Sequence, residues 1–214
     1  MLGEGEKNAH AITCECAART IAMRIEAGAH KGTRLAVPEG TDVRPTSDRA
    51  RQAIFNMLIH RFDAVEGAGV LDAFAGSGAL GLEALSRGAA SLVAMELARP
   101  ALDALKRNIS ACRENARTLV FACNALSPPP AQPRYAPCSL VFLDPPYGQG
   151  LIAPALVALD KAGWIAPGAL IVAEMGVRDQ VPEGKTLSVE GERRYGKARI
   201  VFLRNAQARD REAM

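Results

Sequence analysis

The stretch GVLDAFAGSGALGLEALSRG runs from Gly69 to Gly88. GVLDAF (69–74) reads as a buried strand, and GALGLEALSRG (78–88) as a helix closed by Gly88. The glycines between them make a tight strand-to-helix turn. The same alternation continues outward. SLVAME (91–96) reads as a strand, and ARPALDALKRNISAC (98–112) as a helix with Pro100 in its first turn, where proline is tolerated. TLVFAC (118–123) and CSLVFLD (138–144) read as strands, GLIAPALVALDKAG (150–163) as a helix and ALIVAE (169–174) as a strand. KTLSVEGERRYGKARIVFL (185–203) reads as two strands joined by a turn. SPPPAQPRYAP (127–137) carries five prolines and reads as a loop. Strands alternating with helices imply an α/β fold: a doubly wound, mostly parallel, seven-stranded Rossmann-like sheet that ends in an antiparallel β-hairpin.

The N-terminal part is different. Residues 1–22 have no clear periodicity and read as a flexible extension. MRIEAGAHKGTRLAVP (23–38) reads as two short strands around a glycine-containing turn. RPTSDRARQAIFNMLIHRF (44–62) reads as a helix, capped by Thr46 or Ser47 after Pro45, with Ile54, Leu58 and Ile59 at helical spacing. The chain therefore divides into an extension (1–22), an N-terminal hairpin and helix (23–63), the main domain (64–204) and a polar tail (205–214).

Composition bounds the function. The 214 residues are 49% apolar and 23% charged, as in soluble globular proteins. No apolar run reaches membrane-spanning length, and no hydrophobic signal core opens the chain, so a cytoplasmic protein is expected. Five scattered cysteines show no paired C-x-x-C spacing, so neither a zinc site nor a disulfide framework is indicated. Net charge is only +3, but Arg19–Arg61 holds eight Lys/Arg against four acids. Such an excess is either an ordinary solvated surface or a face that attracts phosphates.

Ligands in open α/β sheets sit outside the carboxyl ends of the strands. Asp72, Glu96, Asn124 and Asp144 all fall at or just past predicted strand ends. Gly76, Gly78 and Gly81 match G-x-G-x-x-G, a weak pattern alone, compatible with a dinucleotide or another adenosine-containing cofactor. A pyrophosphate avoids a nearby carboxylate. S-adenosylmethionine (SAM) carries an ammonium and a sulfonium, and favours one. Asp72, just before the glycine loop, therefore favours SAM. Glu96 can accept both ribose hydroxyls, but nicotinamide-cofactor proteins place an acid there too. Asn124 could meet an adenine edge, although asparagine after a strand is common as a turn residue.

LVFLDPPYGQG (140–150) is the most specific stretch. An exocyclic amine on a base is a poor nucleophile, because its lone pair is delocalised into the ring. The Asp144 carboxylate and the Pro145 carbonyl are suited to accept its N–H groups and localise that pair. Pro145 and Pro146 stiffen the turn, and positioning is the main lever when the electrophile is already activated. Tyr147 can stack on the flat base. No metal is called for, since the departing thioether leaves readily.

MRIEAG…KG, RPTSDRARQAIFNML, LDAFAGSGALGLEALSRGA, VFLDPPYGQGL and IVAEM occur in that order across residues 23–203. Together they resemble the bacterial small-subunit ribosomal RNA methyltransferase D (RsmD) family of class I SAM-dependent amino methyltransferases. The resemblance implies methylation of the 2-amino group of guanine 966 in 16S rRNA, on an assembling or assembled small subunit, by a monomer. It implies that Asp72, Phe74, Gly76, Ser77 and Gly78 contact the cofactor, with Glu96 on the ribose and Asn124 near adenine. Asp144, Pro145, Pro146 and Tyr147 would hold the guanine. Arg44, Pro45 and Thr46 would lie by the mouth of the site, and Arg24, Lys31, Arg34, Arg49 and Arg51 become candidate phosphate contacts. The rival readings are an amino-methyltransferase acting on DNA adenine, another rRNA base or a protein amide, a nicotinamide-dependent oxidoreductase, and a non-catalytic RNA-binding module.

Overall fold

The structure, a computed structural model, describes residues 23–38, 48–184, 187–196 and 198–205. The extension 1–22, the Arg44–Pro45–Thr46 motif, the caps expected at Thr46 or Ser47, and the tail beyond residue 205 lie outside the described residues.

Seven strands form one sheet: β1 (Gly69–Asp72), β2 (Ser91–Met95), β3 (Thr118–Phe121), β4 (Cys138–Leu143), β5 (Ile165–Gly176), β6 (Leu187–Tyr195) and β7 (Ala198–Asn205). Their order is β3-β2-β1-β4-β5-β7-β6. The first five are parallel, and β7 pairs antiparallel with both β5 and β6. Among the described residues, four α-helices accompany them: α1 (Asp48–His60), α2 (Ala79–Ser86), α3 (Arg99–Ala111) and α4 (Ile152–Lys161), with one 3-10 turn at Asn115–Arg117.

The pleat sorts the core into two halves. Val70, Leu140, Phe142, Val172 and Phe202 face α1, α2 and α3. Their neighbours Leu71, Val141, Leu143, Ile171 and Val201 face α4, Trp164 and part of the proline-rich loop. Both faces are covered, which is why these strands are apolar without alternation. On α3, Leu102, Leu105 and Ile109 repeat at helical spacing and are buried, while Lys106 and Arg107 stay exposed. Ile54, Phe55 and Leu58 of α1 belong to the same core as the sheet, so α1 is continuous with the main domain.

Three elements differ from expectation. β5 starts at Ile165 rather than Ala169, passing through Pro167 and Gly168 with a register shift against β4. β7 continues to Asn205, whose Nδ2 donates to the Ala166 carbonyl (3.2 Å), so the strand enters what reads as tail. The expected N-terminal strand pair has a single bridge, Arg24 to Arg34. Ile25 N–H to the Thr33 carbonyl (3.0 Å), Gly32 N–H to the Ile25 carbonyl (2.8 Å) and Leu35 N–H to the Met23 carbonyl (2.8 Å) close the pair, and helix side chains satisfy further donors. Glu83 of α2, fully buried, accepts the backbone N–H groups of Glu26 (2.8 Å) and Ala27 (3.1 Å) and the Arg87 Nε–H (2.6 Å). The Ser86 carbonyl accepts Ala29 N–H (2.8 Å), and a Cβ at Gly28 (φ +83°) would lie 1.8 Å from that oxygen. Asn108 of α3 accepts Ala36 N–H (2.7 Å) and donates to the carbonyls of Ala36 (3.0 Å) and Ser77 (2.8 Å). One side chain thus joins the N-terminal segment to the glycine loop.

Among the described residues, no helix is long and apolar enough to cross a membrane. Cys112, Cys123 and Cys138 are free thiols. The proline-rich stretch is a loop, secured where Trp164 Nε1 donates to the Pro129 carbonyl (2.8 Å).

Candidate active site

A cleft of about 930 Å³ opens at the carboxyl ends of β1, β2, β3 and β4. The sheet changes winding direction between β1 and β4, the place where such folds bind ligands. Asp72, Phe74, Gly76, Ser77, Glu96, Asn124, Asp144, Pro145, Pro146 and Tyr147 all line it, so the topology gathers residues spread over more than a third of the chain.

Asp72 ends β1 fully buried, and its Oδ2 accepts the Gly81 N–H of α2 (3.1 Å). Burial pushes its carboxyl up to about 7, against the lowering effect of the Gly81 hydrogen bond and with a smaller push from Glu96. Glu96 spans the loop at the end of β2. Its Oε2 accepts Gly76 N–H (2.8 Å) and its Oε1 accepts Ala98 N–H (2.7 Å). Each carboxylate oxygen keeps acceptor capacity for a hydroxyl. Gly76 sits at φ +55° with nothing within 4 Å of where a Cβ would be, so its backbone is open to close approach. Asn124 behaves as a turn former: its Oδ1 accepts Leu126 N–H (2.9 Å).

Two of the expected residues are held by contacts their motifs do not announce. Gly78 does not line the cleft. It starts α2 at φ +83°, and a Cβ there would stand 2.4 Å from Leu105 Cδ1, so the glycine serves the close packing of α2 on α3. Gly78→Ala is expected to lower stability by about 1–3 kcal/mol in denaturant melts, the range for overpacking. Arg51, a candidate phosphate contact by sequence, is buried and lines the cleft rather than standing on the open surface. Its side chain is 1% exposed, and Nη2 donates to the Arg24 carbonyl (2.8 Å), 3.3 Å from Glu26 Oε1 and with Nε 3.9 Å from Glu83 Oε2. These acceptors explain why a basic residue points inward. Arg24, Lys31, Arg34 and Arg49 are exposed.

The sequence reading missed Met23, Val37, Leu97 and Leu126, which supply apolar wall. Leu97, 66% exposed beside Glu96, is a flat apolar surface suited to a purine. It also missed Asn108, whose signal was present: a polar residue on the apolar stripe of α3, between Leu105 and Ile109. Among the described residues, no group of three or more His, Cys, Asp or Glu gathers as metal ligands would.

The donor set fits SAM. A buried carboxylate at Asp72 suits a cation, Glu96 suits a diol, Gly76 exposes backbone, and the remaining wall is largely apolar. Ionised Asp72 is the form that pairs with a cation, and in the free protein that form predominates only above about pH 7. SAM affinity is therefore expected to rise as pH increases from about 6 to 7.5, with proton release on binding. The SAM amino group itself titrates near about 8, which bounds the window above. Asp72→Asn should flatten this rise and weaken binding by about 10–100-fold, the value of a hydrogen bond to a charged group. Calorimetry in buffers of different ionisation enthalpy checks both. For stability the sign is opposite. Because the folded-state value lies above the unfolded one, the protonated form favours folding, and this contribution is lost as pH climbs toward 7.

Comparison with known proteins places this geometry. The family model described as "conserved hypothetical protein 95" matches residues 23–204. Ribosomal RNA small subunit methyltransferase D of Escherichia coli is 40% identical over 161 residues, 75% of this chain and 78% of that protein. The protein of the same description from Haemophilus influenzae is 36% identical over 156 residues, 71% of this chain and 78% of its own length. The solved structure of a candidate methyltransferase, yhhF of Escherichia coli, superposes with a TM-score of 0.73 at 32% identity, covering 86% of this chain and 98% of that one.

Proposed function

The chain belongs to the small-subunit ribosomal RNA methyltransferase D family, a group of SAM-dependent methyltransferases, and from that premise we propose that it methylates the 2-amino group of guanine 966 in 16S rRNA. The observation that carries the proposal is the sharing of one cleft by the Asp144–Tyr147 loop and the Asp72, Gly76 and Glu96 cradle. When bound, SAM supplies an electrophilic methyl on a sulfonium. Asp72 orients its cationic end, and Glu96 accepts its ribose hydroxyls while holding Gly76 in place.

The rest is done by the loop after β4. The Asp144 carboxylate and Pro145 carbonyl accept the two N–H groups of the target amine and turn its lone pair toward the methyl. Pro145, buried, and Pro146, exposed, fix the backbone between these acceptors. Tyr147, 48% exposed, offers its ring to the base. Arg24, Lys31, Arg34 and Arg49 bind phosphates around the target, adding affinity and salt dependence without choosing the base. The substrate is the guanine within the small ribosomal subunit. The protein acts as a monomer, as the family resemblance implies.

The test is mass mapping or primer extension of 16S rRNA from a strain deleted for the gene, with and without the gene restored. Restoration should return one methyl group to guanine 966. If purified protein instead labels only duplex DNA, the alternative of a DNA adenine methyltransferase replaces this one.

A further inference from the structure

A second cleft, about 990 Å³, lies against the first. The two share Pro145, Pro146, Tyr147 and Leu151. Tyr147 is therefore a partition between them. The loop after it turns on glycines. Gly148 (φ +72°) and Gly150 (φ +63°) follow it in the left-handed region, with nothing within 4 Å of their Cβ positions. The far end of the side chain is the anchored end: the Tyr147 hydroxyl donates to Glu174 Oε1.

Glu174 is well placed as an anchor. It is 5% exposed, near the end of β5, and paired with Ile200 of β7. The adjoining wall is built by side-chain ties. Asp179 Oδ2 accepts Gly176 N–H (2.7 Å), and Arg199 Nη2 donates to the Asp179 carbonyl. The aromatic ring thus stands on a glycine-flanked loop and is tied by its hydroxyl to a strand paired with β7.

We propose that Glu174 is a positioning residue for methyl transfer, holding the Tyr147 ring in place so that a base entering from the second cleft stacks with its amine aimed at Asp144. This rests on the amino-methyltransferase reading. A short swing of an unanchored ring would displace the amine from its acceptors, and small displacements at a reacting centre are costly.

The test combines Tyr147→Phe, Glu174→Ala, Glu174→Gln and the Tyr147→Phe/Glu174→Ala double variant. Methylation of small subunits from a deletion strain gives kcat and KM, and calorimetry gives SAM affinity. Tyr147→Phe and Glu174→Ala should each lower kcat by about 10–100-fold, with SAM affinity unchanged. The double variant should be no worse than either single one, because both remove the same tie. Glu174→Gln, which keeps an acceptor oxygen, should recover most of the loss. Additive losses, or a Glu174→Ala enzyme with normal kcat, would overturn the proposal. A second measurement is independent of substrate identity. The chain has three tyrosines, so 3-fluorotyrosine labelling gives a ¹⁹F spectrum in which Tyr147→Phe identifies one line. That line should move and narrow in Glu174→Ala. An unmoved line refutes the tether even if the target proves to be another base. A moved line in an enzyme that leaves rRNA unmethylated refutes the substrate and keeps the tether.

Discussion

Asp144→Ala is expected to lower methyl transfer by on the order of 10²–10⁴-fold while SAM affinity stays within about twofold. The separation follows from geometry. Asp144 stands on the loop after β4, whereas the proposed SAM cradle is built by Asp72, Gly76 and Glu96 at the ends of β1 and β2. Removing the carboxylate leaves one N–H of the target amine without its acceptor, and its lone pair stays conjugated with the ring. Asp144→Asn keeps a neutral acceptor and should fall between wild type and alanine. Single-turnover methylation with saturating SAM, beside calorimetry, separates the two effects. Turnover within a few-fold of wild type in the alanine variant would remove Asp144 from the chemistry.

Glu83→Ala should produce the largest loss of stability, about 3–5 kcal/mol, as expected when one partner of a buried charge pair is removed. Glu83 accepts two backbone N–H groups of the N-terminal segment and the Arg87 Nε–H, and lies 3.9 Å from the buried Arg51. Its loss strands all of these at once. For a chain of this size the melting temperature should fall by roughly 6–20 °C. Hydrogen exchange should quicken first over residues 24–36. SAM affinity should weaken as well, because Met23 and Val37 carry that segment into the cleft wall. A melting temperature within about 2 °C of wild type would show that Glu83 is not the anchor.

The sheet was legible because its inner strands are covered on both sides. Val70–Leu71 and Leu140–Leu143 are unbroken apolar runs bounded by turn residues. The acids at strand ends were legible for a topological reason, since carboxyl ends at the winding reversal converge wherever this sheet forms. What escaped has no local signal. Arg51 looks like any exposed basic residue of an amphipathic helix, and its partners, the Arg24 carbonyl, Glu26 and Glu83, are all distant in sequence. Residues 23–38 do bond across their turn, but the donors of Glu26, Ala27, His30 and Ala36 go to Glu83, Ser86 and Asn108, which no local pattern announces. Gly78 fits a phosphate-loop pattern, and nothing local shows that Leu105 of the next helix also packs where its Cβ would stand. The first turn of β5 was hidden by Pro167 and Gly168, which normally end strands.

The position of β7 sets the order in which this chain can be completed during its own synthesis. Although it is the last strand described, it is an interior one, bonded to β5 on one side and β6 on the other. Until Asn205 has emerged, β5 presents a bare row of donors and acceptors from Leu170 to Gly176. An uncapped apolar edge of that kind invites pairing with other nascent chains. A chain that stops at the β6–β7 turn would hold every residue proposed for chemistry and still be prone to aggregate.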